Sequence, residues 1–469
     1  MPESYQQTID AALGDAGLQS AVYASTGRLI AKRQEVVSAG VLPDYQELRD
    51  QANAVKRHTL ENLDYYLERF EAQVNARGGR VVWARDGDDV VRFLLELFRE
   101  KSARRVVKSK SMTTEEIELN ARLEREELEV VETDLGEYIV QLARQRPFHI
   151  VAPALHLTRY DVADLFADKL GIEREVEIEK QTMIARRVLR EKFLAADIGI
   201  SGANFVIAES GAVVLVTNEG NGRLTTTLPK IHVAIAGIEK LLPRAQDLAT
   251  FVKLLGRSAT GQPLTVYTSF IAGPRREGEI DGPDEFYVVL LDNGRTRLLA
   301  DRAKRQSLYC IRCGACLNHC PVYRKIGGHS YPWVYSGPIG AVITPQYQGL
   351  ARDGWLPFAS SLCGACAEVC PVKIELPKLL LSLRSEVVKT RSAERRNLFE
   401  RLAFRVWAWV MRHPGVYEMM GSAASTVAGD GNIPAPFRRG PLRAWLSGRD
   451  LPPMPRRSFR QMWRARRQG

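Results

Sequence analysis

Cysteine is missing from most of this 469-residue chain: none occurs in the first 309 residues and none in the last 99. All seven cysteines stand between residues 310 and 370. This distribution excludes disulfide cross-links through the rest of the chain and any thiol-based site outside that window. A cysteine set confined in this way predicts one local site.

Long apolar runs, targeting signals and nucleotide-binding motifs are lacking too. No 18 consecutive residues are apolar, so we expect no transmembrane helix. The opening MPESYQQTIDAALGDAG has neither a basic start nor an apolar core, so we expect no secretory signal and a cytoplasmic protein. Neither G-x-G-x-x-G after a first strand nor a P-loop occurs, so no dinucleotide site is predicted.

Positive charge is concentrated at one end of the chain. The formal net charge is +11, yet residues 376–469 alone hold 19 Lys and Arg against 6 Asp and Glu. The preceding part is therefore close to neutral. Contacts that depend on basic charge are expected in the tail.

The cysteines form two runs that are typical of iron–sulfur proteins. The first reads C-I-R-C-G-A-C-L-N-H-C-P from residue 310, and the second reads C-G-A-C-A-E-V-C-P from residue 363. The C-x2-C-x2-C-x3-C-P spacing is that of bacterial ferredoxins, in which the last cysteine ligates the other cluster. Zinc sites prefer separated ligand pairs, and disulfides need an oxidising compartment, so both fit less well.

This spacing predicts two interlocked clusters, the second one thiolate short. Ser360 stands where a full second run would have its first cysteine. The second cluster therefore has a non-cysteine ligand, a seryl oxygen or water, or it is a three-iron cluster. The predicted ligands are Cys310, Cys313, Cys316 and Cys370 for the first cluster, and Cys320, Cys363 and Cys366 for the second.

The N-terminal part alternates predicted strands and helices. Residues 1–65 read as helical, and His58–Ala76 has apolar residues at helical spacing. From Gly79 the alternation predicts βαβ units and a parallel sheet, with 149–155 (HIVAPAL) as one of the strands. Thr113 and Glu116 form a predicted capping box before the helix EEIELNARLERE.

No catalytic residue is predicted in this α/β part, because no acid–base or nucleophile–base pair is recognisable. Ser109, Lys110 and Ser111 could hold an anion at the carboxyl edge of the sheet, but a solvated loop is the favoured interpretation. The histidines are interpreted as packed or surface residues. Turn roles are favoured for a second set of polar residues: Glu209, Asn218, Glu219, Asn221 and Arg223. The histidines so interpreted are five of the seven in the chain: His149, His156 and His232, with His319 and His329 near the cysteines.

Two segments flank the second cysteine run. The 42 residues 321–362 are rich in Gly, Pro and aromatics and are interpreted as a hydrophobic cover of the clusters, as a loop packed on the α/β domain, or as both. Helices are predicted over Leu376–Val388 and in NLFERLAFRVWAWVMRH from residue 397. For the basic tail we rank partner docking first, a membrane surface second and nucleic acid last.

Several stretches together resemble the lactate-utilisation iron–sulfur protein B family. They are SKSMTTEEIELN, GISGANFVIAESGAVVLVTNEGNGRLTTTLPKIHVA, CIRCGACLNHCPVYRKIGGHSYPWVYSGPIGAVITP and SSLCGACAEVCPVKIELPKLL. The resemblance implies an α/β domain related to the sugar-isomerase and CoA-transferase-like fold. It also implies two [4Fe-4S] clusters with the ligand division given above. The expected domains are 1–65 (helical leader), 66–300 (lactate-utilisation-type α/β), 301–380 (ferredoxin-type) and 381–469 (basic C-terminal segment).

The resemblance further implies a function: electron transfer in the oxidation of L-lactate to pyruvate within a multi-protein assembly. One implied partner is cysteine-rich, and the other shares the N-terminal domain type. The protein is expected to be cytoplasmic, with contact at the inner face of the membrane through the basic tail as a second expectation. The alternatives are a catalytic α/β domain with structural clusters, and a cluster-bearing sensor that binds nucleic acid.

Overall fold

The computed structural model describes residues 3–393, 398–428, 455 and 457–468. They fall into two compact units, Met1–Val387 and Val388–Gly469. All seven cysteines lie in the first unit. Within the described ranges, no helix is long and apolar enough to cross a membrane.

Strands and helices follow one another as the sequence pattern predicts for an α/β protein. The strands are β1 (Arg80–Ala84), β2 (Arg105–Lys108), β3 (Glu129–Glu132), β4 (Ile198–Ser201), β5 (Phe205–Ile207), β6 (Ala212–Thr217), β7 (Ile231–Gly237), β8 (Leu241–Leu242), β9 (Tyr267–Ile271) and β10 (Glu285–Leu291). The helices of the α/β part are α1 (Glu3–Gly14), α2 (Ala16–Val36), α3 (Tyr45–Glu61), α4 (Leu63–Ala76), α5 (Gly87–Glu100), α6 (Met112–Glu116), α7 (Leu119–Glu124), α8 (Leu135–Leu142), α9 (Arg159–Leu170), α10 (Ile178–Ala195), α11 (Asn221–Thr227), α12 (Ala245–Thr260) and α13 (Arg295–Ala300).

Shorter helices surround the cysteines, and longer ones follow them. They are α14 (Ala315–Asn318), α15 (Tyr323–Ile326), α16 (Gly337–Gln348), α17 (Leu350–Asp353), α18 (Ala365–Glu368), α19 (Leu376–Ala393), α20 (Leu398–Arg412) and α21 (Pro414–Ala428), with a last helix at Phe459–Gln468. The predicted helices after the second run are thus present as α19 and α20. Of the basic tail Arg438–Gly469, only 455 and 457–468 lie within the described residues.

The central sheet has six parallel strands in the order β1-β10-β7-β4-β2-β3. Its middle strands β7 and β10 are buried along nearly their whole length, as expected for a sheet covered on both faces. From β2 the chain moves to β3 on one side, and from β4 it moves to β7 on the other. The gap between β2 and β4 is therefore a topological switch point, where open α/β sheets bind ligands.

The predicted fold class, an α/β domain with a parallel sheet, is confirmed. The structure adds a second sheet that the sequence pattern did not separate from the first, in the order β8-β5-β6-β9. Its β5–β6 and β6–β9 pairs are antiparallel, and only β5–β8 is parallel. The dense strands of 198–242 are thus divided between two sheets.

Four local predictions are wrong. The helix predicted over His58–Ala76 breaks at Asn62, between α3 and α4. The helix EEIELNARLERE breaks before Glu118, whose φ is 53°. Residues 149–155 form no strand, because this segment instead contacts the cysteine region. Thr113 and Glu116 do not form the predicted capping box. The N-cap of α6 is Ser111, whose Oγ accepts a hydrogen bond from the Thr114 N–H at 3.3 Å. The Glu116 carboxylate instead accepts from the buried Arg295.

Candidate functional site

The two C-G-A-C stretches follow the same backbone path. Arg312 and Gly314 have φ of 59° and 75°, and Leu362 and Gly364 have φ of 55° and 88°. A four-residue helix starts directly after each glycine, at Ala315 and at Ala365. Glycine suits these positions because it adopts positive φ without a Cβ clash. The second run is therefore a structural repeat of the first.

Four thiols surround one small cavity, which we call the first cysteine group: Cys310, Cys313, Cys316 and Cys370. Cys370 comes from the second run, as the ferredoxin spacing predicts. Aliphatic side chains supply most of the remaining wall: Ile150, Ile311, Ile339, Val372, Ile374 and Leu376. Over the described ranges, no set of three or more Cys, His, Asp or Glu converges on a single metal ion. The four thiols thus line a cavity and do not converge as the ligands of a single metal ion would.

Electrostatic proximity separates the seven thiols into the same two groups. Burial raises the pKa of Cys316 well above its usual value, and the nearby Cys310, Cys313 and Cys370 raise it further. Burial likewise raises the pKa of Cys366 to about 11, with Cys320 and Cys363 adding to the shift. Cys320, Cys363 and Cys366 form the second cysteine group. Cys366 also acts on Cys316, so the two groups are neighbours.

Buried thiols in such groups ionise only when positive charge compensates them. Iron ions supply that charge, and thiolate is their usual protein ligand in clusters. The donor set and the cavity of the first cysteine group therefore fit an iron–sulfur cluster. The same holds for the donors of the second cysteine group, which has three thiols.

The second cysteine group reaches the protein surface. Cys363 is exposed, whereas Cys313, Cys320, Cys366 and Cys370 are buried. The Ala365 N–H and the Ser361 side chain donate to the Cys363 sulfur and lower its pKa. A cluster at this group would be the one accessible to another protein.

Ser360 occupies the position in its run that Cys310 has in the first. The Arg312 N–H donates to the Cys310 Sγ at 3.4 Å, and the Leu362 N–H donates to the Ser360 Oγ at 3.2 Å. In both runs, the side chain of the first residue thus accepts a hydrogen bond from the backbone N–H two residues later. The predicted ligand role of Ser360 stays a prediction.

The N-terminal helices form part of the cysteine site. Arg49 of α3 donates from Nε and Nη2 to the Cys370 carbonyl at 3.0 and 2.8 Å. Arg33 of α2 donates to Val369 O at 3.3 Å, and Asn53 donates to Val372 O at 2.8 Å. We call residues 367–372 the Cys-Pro segment. Sequence reasoning missed these donors, since nothing distinguishes them from ordinary polar residues of a surface helix.

The aromatic segment 321–362 packs on the α/β domain. The Tyr323 hydroxyl donates to Phe148 O at 3.0 Å, and the Tyr335 hydroxyl donates to Glu116 Oε2 at 2.8 Å. Tyr323, Tyr331 and Tyr335 are almost fully buried. The docking interpretation of this segment is therefore correct.

A buried charge network lies between the sheet and the cysteines. Arg295, 1% exposed, donates to both oxygens of Glu116 at 2.8 and 2.9 Å and to Glu239 at 2.5 Å. Arg312 lies 3.7 Å from Glu239 and over the ring of Tyr335. Although burial opposes ionisation, Arg295, Lys240 and Arg312 hold the pKa of Glu239 at about 2. The network keeps Arg312 fixed between Cys310 and Cys313.

A polar cavity opens at the carboxyl edge of the central sheet, at the β2–β4 switch point. We call it the carboxyl-edge cavity. It shares two wall residues, Ile150 and Arg312, with the cavity of the first cysteine group. Its polar lining comes mainly from residues that follow strands: Ser109, Lys110, Ser111, Asp134, Asn204, Asn218, Glu219, Asn221, Lys240 and Arg312.

The structure corrects the interpretation of Ser109–Ser111 as a solvated loop. Ser109 is 4% and Ser111 6% exposed, because the loop is enclosed by the cavity wall and by Gly202. Three of the five predicted turn residues also line the cavity: Asn218, Glu219 and Asn221.

The other predicted site residues have structural contacts. The Glu209 carboxylate accepts from the Ala245 N–H at 3.0 Å, at the start of α12. Arg223 lies over the ring of Tyr267, outside the cavity lining. Asn218, although it lines the cavity, uses its side chain to donate to Gln262 and to accept from the Val266 N–H, as a turn residue does.

The histidines are packed residues, as expected. His149 contacts Asn318 at 3.0 Å, and His232 contacts Ser201 at 2.8 Å. Burial lowers the pKa of each to about 3. Of the remaining three, His156 contacts the Gln145 side chain. His319 and His329 contact the carbonyl oxygens of Ala315 and Arg146, respectively.

Three family models match successive parts of the chain. The profile of the LUD domain matches residues 67–291, that of a 4Fe-4S dicluster domain matches 306–374, and that of the lactate utilisation protein B C-terminal region matches 382–468. The chain is thus, by class, a LUD-domain protein that carries an iron–sulfur dicluster domain.

Relatives extend the match to the whole chain. Proteins named lactate utilization protein B from Bacillus licheniformis, Oceanobacillus iheyensis and Bacillus thuringiensis are 43%, 41% and 42% identical to it. These alignments cover 99–100% of this chain and 97–98% of the relatives. The chain belongs to the lactate utilization protein B family, which confirms the resemblance. A crystal structure of a DUF162 family protein from Deinococcus radiodurans matches 49% of this chain and 98% of its own, at 11% identity and a TM-score of 0.28.

Proposed function

We propose that this protein is an electron-transfer subunit in the oxidation of L-lactate to pyruvate. In this proposal it binds two clusters and works with a cysteine-rich partner and with a second protein that shares its N-terminal domain type. The observation that carries the proposal is the division of seven thiols into two adjacent groups, one of which has an exposed member while the other has none. The names of the relatives support the link to lactate.

The residues of the site suit electron transfer. When bound, iron–sulfur clusters supply one-electron redox chemistry. The first cysteine group would hold a [4Fe-4S] cluster with four thiolates in an apolar wall that keeps water away. Arg49 places positive charge on the carbonyls of the Cys-Pro segment, which favours the more negative, reduced state of the site. Cys363 brings the second cysteine group to the surface, where a partner can reach it.

The second cluster is proposed to have an oxygen ligand from Ser360 or to be a three-iron cluster. Three thiols and the equivalence of Ser360 to Cys310 support this assignment. Oxygen is a harder ligand than thiolate and suits iron–sulfur chemistry less well, so one iron of this cluster would be labile.

The C-terminal unit is proposed to dock on a partner, with an anionic membrane surface as the second candidate. Its helix α20 exposes a row of large apolar side chains: Leu398, Phe399, Leu402, Phe404, Val406, Trp407 and Trp409. The surrounding tail is strongly basic. We therefore propose that the protein is cytoplasmic. The alternative is that it also contacts the inner face of the membrane through this surface.

The test is anaerobic purification of the protein together with its partners, followed by addition of L-lactate. We expect the cluster absorbance to bleach and an electron paramagnetic resonance (EPR) signal of reduced clusters to appear, with pyruvate formed in proportion. D-lactate serves as the control. Pyruvate formation without any change in the clusters of this chain would contradict the electron-transfer role.

A further inference from the structure

The carboxyl-edge cavity contains polar atoms that have no partner within the protein. The Ser109 Oγ and the Arg312 Nη1 are buried and form no hydrogen bond with any described residue. Their side chains, 4% and 8% exposed, both line the cavity. The Thr265 Oγ1 also forms no hydrogen bond, and neither does the buried Lys110 Nζ, which lies 3.7 Å from Glu137. Buried polar groups are normally satisfied, so this set indicates a ligand that supplies the missing partners.

The charges of the lining favour an anion with a single charge. Lys110, Lys240 and Arg312 contribute three cations, and Asp134 and Glu219 contribute two carboxyl groups. The Lys110 Nζ lies 3.7 Å from the Glu137 Oε1, and Glu239 compensates part of the charge of the buried Lys240. The two carboxyl groups of the lining would repel a dianion more strongly than a monoanion.

The position of the cavity is that of a ligand site. Residues directly after the carboxyl ends of β2 and β4 form its floor, and these two strands flank the switch point of the sheet. Gly202 approaches Ser111 so closely that a Cβ there would lie 2.5 Å from the Ser111 Oγ. The backbone is thus shaped around the loop that carries Ser109 and Lys110.

We propose that the carboxyl-edge cavity binds a small monocarboxylate, with Lys240 and Arg312 holding the carboxylate and Ser109 donating a hydrogen bond to an oxygen of the ligand. The narrower assignment to 2-hydroxy or 2-oxo acids rests on the proposed function. Because Arg312 and Ile150 also line the cavity of the first cysteine group, the bound acid lies next to that group.

The experiment is calorimetric titration of the anaerobically reconstituted chain with L-lactate, pyruvate, acetate and inorganic phosphate. We expect the carboxylates to bind, with phosphate weaker. Lys240→Met should weaken carboxylate binding at least tenfold, and Ser109→Ala severalfold. Lys253→Met is the matched control, since Lys253 is an exposed residue of α12, outside the lining. Its affinities should equal those of the wild type.

A second measurement uses the cluster as a reporter. Saturation with pyruvate should change the EPR spectrum of the first cluster in the wild type and in Lys253→Met but not in Lys240→Met. Ser109→Ala removes one oxygen only, so it tests the site even if Lys240→Met fails to fold. The absence of carboxylate binding, equal affinities in Lys240→Met, Ser109→Ala and the wild type, or tighter binding of phosphate would overturn the proposal.

The two proposals fail separately. Lactate-dependent cluster reduction in the assembly, without carboxylate binding to this chain, would overturn the cavity proposal and leave the electron-transfer role. Carboxylate binding that depends on Lys240, without any cluster reduction by lactate, would support the cavity proposal and contradict the electron-transfer role.

Discussion

Ser360 shows how much one residue can decide in this protein. Its Oγ has the hydrogen-bond partner that the Cys310 sulfur has in the first run, so a thiol at residue 360 would point where the first ligand of a full run points. Residue 360 therefore has a hard oxygen where the equivalent residue of the first run, Cys310, has a sulfur.

Ser360→Cys should therefore make the second cluster more resistant to oxygen. We expect air exposure to convert the wild-type second cluster to a three-iron form and to convert far less of it in Ser360→Cys, because thiolate holds the fourth iron more tightly. The three-iron signal in EPR measures this. Ser385→Cys is the control, as it adds a thiol at an exposed residue of α19. Equal three-iron signals in wild type and Ser360→Cys would show that residue 360 does not face the open iron.

At the residue scale, short-range chemistry could be predicted and long-range pairing could not. The spacing alone predicts the two cysteine ligand sets, which stay a prediction, and the thiols of each set lie near one another. The local pattern predicts that Glu116 caps a helix with Thr113, yet its partner Arg295 is 179 residues distant. A buried ion pair of that kind leaves no local pattern in the sequence.

At the scale of elements, buried strands are read well and irregular segments poorly. The alternation from Gly79 predicts the parallel sheet, which is present, although its first strand β1 lies at the sheet edge and has only Ala84 buried. The segment 149–155 has similar composition but no strand partner, since Phe148 and His149 bond to Tyr323 and Asn318 instead. The carboxyl-edge loop was misread for the same reason: its enclosure depends on distant strands.

The exchange of cysteines between runs gives a prediction at this scale. Cys370→Ser should disrupt the cluster held by Cys310, Cys313 and Cys316, although Cys370 is adjacent to Cys366 in sequence. We expect about four of the roughly seven or eight irons to be lost in anaerobic reconstitution, with the remaining EPR signal that of the second cluster. Cys363→Ser, the matched change, should affect only the second cluster. Loss of the second signal alone in Cys370→Ser would refute the interlocked arrangement.

On the scale of the whole molecule, the two cysteine groups and the basic tail belong to different units. Every cysteine and both cavities lie in the first unit, so the second can change without direct loss of ligands. The division separates the cysteines from the part of the chain in which positive charge is concentrated.

Deletion of Arg438–Gly469 should leave the iron content unchanged and weaken association with partner or membrane. The segment carries ten arginines and one acidic residue, so association of the full chain should fall as salt rises. Co-purification with the partners and sedimentation with anionic vesicles distinguish the two surfaces. Arg466→Lys with Arg467→Lys keeps the charge and should bind as the wild type does. Unchanged association of the truncated chain would remove this role from the tail.

The bonds from α2 and α3 to the Cys-Pro segment impose an order on biosynthesis. Arg49 and Cys370 are 321 residues apart, so at about 5–20 residues per second the ribosome needs roughly 15 to 65 s to deliver the second after the first. During this interval the N-terminal helices lack the carbonyls they will bind, and the first cysteine group has at most three thiols until Cys370 is added. A nascent chain therefore offers an incomplete site to the cellular machinery that delivers iron and sulfide. All four thiols of the first cysteine group are present only after translation of almost four-fifths of the protein.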